Sequence, residues 1–481
     1  MARGISIEDE WNARLVLARK ATLKGKRLFC AFNIVVDLVK FVSAKEISQK
    51  AALAGNAGAL EILRKSKTAP ATVQNSSDFL SAMVFHMREG KSAHFVCENQ
   101  HLFQWISKEF GKPDQTRLGG QAGIIANQAA LLGAKAIIYS PFFSDEHAKL
   151  FDENVFVPVC KNGGTTLVPA RNAGKPESPT KRNWIFEYKQ GDEVEFAGEK
   201  FSIPRSNRFI LASPMPMAPA FCECARASLP QIGKGVGAAF FAGFHYLQPR
   251  YGKVSFEKIL GQQDKDVSAL RKRNRGLLVH VEYVPMEHKE IERAVLRHIA
   301  REVDSLGINE VEIAEALEKL GFAKEARAVR AGESAATLFL GAQKLLSALK
   351  LKRLHLHNLG YQMVLLKKPL HSSPEKVRNG LLFSSLCASA KALLGREFKK
   401  SELSKAYKFP LSSRGFAQME LLAYFLQQKF PRFGREKFLA DGVFDAGKFV
   451  LVVSPTQVVE NPKSTVGIGD VVSSSSLLAE L

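Results

Sequence analysis

Short apolar runs, several of them rich in β-branched residues, recur at 28–36, 136–139, 208–212, 238–242, 277–284 and 449–453. Longer segments between them, such as 291–303 and 311–320, repeat their apolar residues at helical spacing. A strand written as an unbroken apolar run is one buried on both faces. Strands of that kind alternating with helices leave few architectures open. The expected fold class is α/β: a mostly parallel central sheet with helices on both faces. At 481 residues the chain exceeds what one core usually holds, so a second, smaller domain is expected. One stretch breaks the rhythm. From about 157 to 206, short alternating segments surround turns at Gln190-Gly191-Asp192 and Ala197-Gly198. That pattern reads as a small antiparallel meander inserted in the α/β chain.

The formal net charge of +21 raises a rival reading, a nucleic-acid-binding protein. The basic residues are spread along the chain, however. The densest clusters, Arg271-Lys272-Arg273-Asn274-Arg275 and Lys350-Leu351-Lys352-Arg353, each precede a strand-like run and read as solvated helix ends. No aromatic platform, zinc knuckle or recognition-helix pattern accompanies them. A basic surface also suits phosphorylated metabolites, so charge alone does not decide. Apolar runs stop short of a membrane span, and the N-terminal segment lacks the apolar stretch of a secretory signal. The six cysteines form no CxxC pair and several sit in apolar runs, which suits buried free thiols in a reducing, cytoplasmic setting.

The chemistry concentrates near the C-terminus. The apolar run 449–453 reads as a buried strand, and a turn-rich segment leads to Gly467-Ile468-Gly469-Asp470 and a small-residue run that reads as a helix. Glycines at a helix start let main-chain N–H groups approach an anion, and the helix dipole favours negative charge there. A carboxylate at that spot repels the anion, so Asp470 needs another purpose. Taking a proton from an attacking hydroxyl, while the amides of Gly467, Ile468 and Gly469 hold a transferring phosphoryl group, would supply it. No Walker-type GxxxxGK[ST] is present.

The wider segment Ser464-Thr465-Val466-Gly467-Ile468-Gly469-Asp470-Val471-Val472-Ser473-Ser474 resembles the catalytic signature of the ribokinase-like superfamily. Four further segments resemble one branch of it, the archaeal-type ADP-dependent sugar kinases, in order: Gly119 to Asn127, His280-Val281-Glu282, Gly307 to Glu312, and His355-Leu356-His357-Asn358. The resemblance implies a ribokinase-like large domain at 1–37, 117–156 and 209–481. It also implies a lid over the sugar at 38–116 and 157–208. A lid makes physical sense, because water in an open site would compete with the sugar hydroxyl. ADP as donor is implied only by the resemblance. Phosphoryl transfer calls for Mg2+ or another divalent cation, and the resemblance assigns Glu282, Glu312 and Asp470 to it. Glu282 ends a strand and Glu312 opens a helix, so a strand-end surface acid and a first-turn helix acid are the alternatives. His280 could support Glu282 or be an alternating strand residue. The resemblance assigns His357, rather than His355, to the adenine site. Further nucleotide contacts are expected from Val458, Val459 and Asn461 in the loop 458–462, from Val466, and from Arg205.

For the acceptor, Asn33 and Asp37 leave an apolar strand and can bind hydroxyls. Gly119 and Gly120 allow close approach of the main chain, with Gln121 and Asn127 as polar groups beside the ring. In the family, glucose use goes with a Glu in the lid, and here that position is His94. Fructose 6-phosphate use goes with lid cations; Lys181 and Arg208 match, whereas a third position holds Glu193. The acceptor favoured is fructose 6-phosphate, with glucose as the alternative and a third acceptor open. The partners expected are ADP and a sugar or sugar phosphate. No membrane and no nucleic acid are expected, and the chain would be a monomer or small homo-oligomer.

Overall fold

The run at 28–36 does not form one strand. It breaks at Asn33, and its two halves enter different sheets. This computed structural model describes residues 6–68, 70–161, 164–286, 288–332 and 334–481. Among them, Arg27–Ala31 lies inside an 11-stranded sheet and Val35–Phe41 inside a separate 5-stranded one.

The large sheet runs, in spatial order, Val443–Asp445, Phe449–Pro455, Tyr361–Lys367, Arg353–Asn358, Ser305–Ile308, Leu278–Glu282, Ala238–Phe241, Arg27–Ala31, Lys135–Tyr139, Val155–Lys161 and Gly164–Pro169. The strands from Arg353–Asn358 to Val155–Lys161 are mutually parallel, and antiparallel strands close both edges. The parallel strands are buried almost throughout, as their unbroken apolar runs require. The helix Ile468–Glu480 packs on Pro374–Leu394, with its run of serines facing inward. Those small side chains let the two helices approach closely, and Ser474 and Ser475 return their hydroxyls to main-chain oxygens one turn back. The fold class is thus the expected α/β with a large, mainly parallel sheet flanked by helices.

The small sheet orders Ala93–Val96, Asn207–Ala212, Arg182–Tyr188, Val35–Phe41 and Gln115–Gly119. It has its own core, in which Phe79 meets Trp105, Phe110, Phe186 and Phe209 edge-on. Strand pairing relocates the expected boundaries. Residues 35–37, 117–119 and 209–212, expected in the large body, pair within the small sheet. The hairpin Val155–Lys161/Gly164–Pro169, expected from residue 157 on in the lid, closes an edge of the large sheet. Its alternating pattern marks an edge strand with one wet face, which sequence alone cannot assign to a particular sheet.

Two further expectations change. Cys160 and Cys224 form a disulfide across 64 residues, because the edge hairpin packs beside the helix Glu223–Lys234. Of the other cysteines, Cys30, Cys97 and Cys387 are buried thiols and Cys222 is exposed. Arg353, read as part of a solvated helix end, is fully buried, with Nε 2.7 Å from the Glu480 carboxylate. Arg271 likewise pairs with Asp304 at 2.5 Å. The other basic residues of the two clusters, Lys272, Arg273, Arg275, Lys350 and Lys352, are exposed as expected. Among the described residues, no helix is long and apolar enough to cross a membrane.

Candidate active site

Parallel strands deliver their C-terminal ends to one rim of a sheet, and open α/β folds bind ligands there. Asn33 follows Arg27–Ala31, His245 and Tyr246 follow Ala238–Phe241, Glu282 ends Leu278–Glu282, Asn309 follows Ser305–Ile308, and His357 lies near the end of Arg353–Asn358. All of them line one cleft, whose opposite wall is built by Asp37, Asn183, Ile185, Arg208 and Ile210 of the small sheet. The cleft floor is the turn Thr465 to Asp470.

Gly467 caps the helix Ile468–Glu480 in the left-handed region, at φ 67°, which turns the following N–H groups toward the cleft. Asp470 sits in the first helical turn and is buried against Gln121, which donates to its carboxylate. Burial pushes the Asp470 carboxyl up to about 7. The Glu282 charge adds to this, and Lys391, the Gln121 hydrogen bond and His357 oppose it. A carboxylate near 7 is suited to accept a proton at neutral pH.

Glu282 is buried at the strand end, with His357 Nε2 at 2.5 Å from one oxygen and His280 Nε2 at 3.5 Å from the other. Burial alone would raise its pKa, but the His357 charge and hydrogen bond, with His280 beside the other oxygen, hold it well below the usual carboxylate range. Conversely, burial would depress His357, yet the Glu282 carboxylate holds it up at about 9. The carboxylate fits only because Gly307 lies beside it. A Cβ there would come within 1.8 Å of Glu282 Oε2. Glu312 accepts from the Asn309 main-chain N–H at 2.9 Å, while the Asn309 side chain caps the same helix. Burial and the Glu282 charge push Glu312 up to about 8.

The other end of the cleft is built around Asp37. Its carboxylate is buried, accepts from Asn183 Nδ2 at 3.1 Å, and is pushed up to about 6 by burial, against the pull of Arg117. Gly119 makes room for it, since a Cβ there would lie 2.2 Å from Asp37 Oδ2. Asn33 presents a buried Oδ1 without a hydrogen-bond partner. Tyr246 stands over the Lys181 ammonium at 4.7 Å and faces the His94 ring edge-on. Arg208 lines the cleft and donates from Nη1 to Thr465 at 2.5 Å.

The structure thus brings together Asn33, Asp37, Gly120, Gln121, Arg208, Glu282, Glu312, His357, Val466, Gly467, Ile468, Gly469 and Asp470 in the lining of one cleft. Gly119 stands immediately behind it. Seven residues expected in the site land elsewhere or differently. Asn127 faces away, accepting from the Asp152 N–H at 2.7 Å and donating toward Leu150. It lies six residues after Gln121 on one helix, which rotates it about 240° from the cleft face. Arg205 is exposed on an outer turn beside Gly90. Val458, Val459 and Asn461 lie on the approach to the glycine turn, outside the cleft lining. His94 is exposed, behind Tyr246. Lys181, expected as a lid cation, is fully buried, where it donates to the Ser213 carbonyl and lies 3.3 Å from Asn183 Oδ1. His355 is committed to Gln362 in the core, at 2.9 Å. His280 is buried, 2.8 Å from Ser305 Oγ. The sequence reading missed Asn183, His245, Tyr246 and Tyr283. Asn183 lies within a strand and the others shortly after one, but none belongs to a motif that would have singled it out.

The donor set fits a hard divalent cation. Glu282 carries a buried Oε2 without a hydrogen-bond partner, and its charge raises the pKa of both Glu312 and Asp470. Such mutual repulsion is relieved by a positive ion. Among the described residues, no three His, Cys, Asp or Glu side chains converge closely enough to hold a metal directly.

Residues 26–479 match the family model for the ADP-specific Phosphofructokinase/Glucokinase conserved region. The chain is 31% identical to the ADP-specific phosphofructokinase of Methanosarcina acetivorans, over 98% of this chain and 97% of that one. It is 30% identical to the ADP-specific phosphofructokinase of Pyrococcus abyssi, over 94% and 96%. A solved ADP-dependent kinase in complex with fructose-6-phosphate and ADPbetaS superposes with a TM-score of 0.83 at 31% identity, covering 98% of this chain and 97% of that one.

Proposed function

We propose that this chain, which belongs to the ADP-specific phosphofructokinase/glucokinase family, transfers the β-phosphoryl group of ADP to fructose 6-phosphate, yielding fructose 1,6-bisphosphate and AMP. One observation carries this reading. A single cleft is floored by the Gly467–Asp470 turn, flanked at one end by Glu282 and Glu312, and closed at the other by Asp37, Asn183 and Arg208. Donor, acceptor and proton acceptor would therefore meet over one carboxylate.

Asp470 would take the proton from the acceptor hydroxyl as that oxygen bonds to the β-phosphorus. The bond from the β-phosphorus to the bridging oxygen breaks, and AMP leaves with the electron pair. The main-chain N–H groups that open the last helix would steady the charge on the migrating group. Asp37, oriented by Asn183, and Asn33 would bind sugar hydroxyls, and Arg208 would meet the substrate phosphate. Glu282 and Glu312 would orient a hydrated Mg2+, which would neutralise charge on the transferring phosphates. Closure of the small sheet over the cleft would exclude water.

The deciding experiment is AMP release by the purified protein from ADP and Mg2+, across fructose 6-phosphate, glucose, fructose and nucleosides. Fructose 6-phosphate should give the highest kcat/KM. Preference for glucose would move the assignment to the glucokinase branch, and no AMP from any acceptor would reject it.

A further inference from the structure

We infer that Glu292, which belongs to none of the motifs above, is a positioning residue that sets the spacing of the two metal-associated acids. The inference rests on the reading of Glu282 and Glu312 as groups that act on a divalent cation.

Glu292 is buried to 1% exposure in the first turn of the helix Lys289–Glu302. Carboxylates are almost never buried so completely unless they are paired. Here each oxygen has its own partner. Tyr283 donates its hydroxyl to Oε1 at 2.6 Å, and the Lys319 ammonium lies 2.9 Å from Oε2. The identities of the partners give the arrangement its meaning. Tyr283 is the residue directly after Glu282, and its N–H donates to the Gly307 carbonyl at 2.9 Å. Lys319 is the last residue of the helix Glu310–Lys319, whose first turn carries Glu312. One buried carboxylate thus joins the strand end that carries one acid to the helix that carries the other.

The alternative use of Tyr283, as a proton donor to substrate, is closed by the same contact. Tyr283 lines the cleft, but its hydroxyl is committed to Glu292 behind the wall. Its ring therefore acts as a strut. Glu292 adds a side-chain link between the strand end and the helix to the strand pairing of Glu282 with Gly307 and the core packing of Ile313 and Leu317. The acids repel one another, so a looser tie lets them move apart. Groups that orient acids on a metal from behind typically change its affinity by about 10- to 100-fold when removed.

The test uses the full-length protein with Mn2+ as probe. Binding is followed by calorimetry or by the free-ion electron paramagnetic resonance signal, beside thermal unfolding and steady-state kinetics. Glu292→Gln keeps an acceptor for Tyr283 and loses the pairing with Lys319. Its Mn2+ dissociation constant should rise about tenfold, while the sugar-phosphate KM stays within about twofold and kcat recovers at saturating Mn2+. Tyr283→Phe removes only the phenol oxygen and should weaken Mn2+ in the same direction. It decides the matter if Glu292→Gln does not fold. Wild-type Mn2+ affinity in Tyr283→Phe, with only the melting temperature lowered, overturns the inference. If the wild-type protein itself neither binds Mn2+ nor turns over ADP, the reading of the two acids falls, and the inference with it.

Discussion

Glu187 accepts a hydrogen bond from the Ser464 hydroxyl at 3.1 Å, which fastens the small sheet to the segment leading into the Gly467–Asp470 turn. Arg117 completes the junction, with Nη2 3.5 Å from Glu187 and 3.4 Å from Ser464, and Nη1 donating to the Gly395 carbonyl at 2.6 Å. Arg208 makes a parallel connection to Thr465. The wall that would bind sugar and the turn that would hold phosphate are thus joined by named side chains. Glu187→Ala should loosen that junction without touching either core. The expected result is a rise of roughly tenfold in the sugar-phosphate KM, with ADP affinity little changed, as for loss of one charge-assisted hydrogen bond. Initial-rate kinetics with each substrate varied separately would check it. Equal losses toward both substrates would speak against the junction's role.

Asp470→Asn is nearly isosteric and leaves the Gln121 contact a partner. The variant should fold and bind ADP, while kcat falls by about 10²- to 10⁴-fold, the usual worth of a positioned general base. Nucleotide binding by fluorescence, beside AMP release, separates the two effects. Near-normal turnover would remove Asp470 from the role.

Gly307→Ala would place a methyl group 1.8 Å from Glu282 Oε2 and 2.5 Å from Ser473 Oγ. The backbone of a buried parallel strand cannot yield that far, so the carboxylate must move. The expected outcome is a loss of about 1–3 kcal/mol in stability, together with a raised Mg2+ requirement. Denaturant unfolding and Mg2+ titration of activity would measure both. The chemistry would also stop on removal of divalent ions with a chelator and return with Mg2+.

Much of this site was legible because its groups are held by local sequence. Gly467 and Asp470 share one helix start, Asn309 and Glu312 share one capping box, and Glu282 ends an apolar strand. The unread part is held together across the chain. Asn183 reaches Asp37 over 146 residues, and Glu187 reaches Ser464 over 277. Helical phase misled at Asn127, whose proximity to Gln121 in sequence hides an opposite facing. A typical surface residue misled at Lys181, which the fold buries beneath Tyr246. Sheet membership misled at 157–169, because an edge hairpin announces its wet face but not its neighbour.

Asp37 gives the function and the stability of the fold opposite demands. Burial raises its carboxyl to about 6, from an ordinary value near 3.8. Below about pH 4 the group is protonated folded or unfolded, and contributes nothing. Between about 4 and 6 the folded chain holds the proton more tightly, so stability falls as pH rises. Above 6 the charged carboxylate stays buried, at a cost on the order of 2–3 kcal/mol. Sugar hydroxyls, however, are best bound by the ionised acceptor. The acidic limb of kcat/KM for fructose 6-phosphate, set first by Asp470 near 7, should therefore steepen below about pH 6 as Asp37 is protonated. Asp37→Asn should remove that second step and leave the one near 7, cut kcat/KM at least tenfold, and yet raise the melting temperature at pH 8 more than at pH 4. Melting curves at the two pH values, beside the pH–rate profile, test both halves. A variant less stable at pH 8 than the wild type would show that the charge is satisfied where it lies, and that the carboxylate is held for structure and not for the sugar.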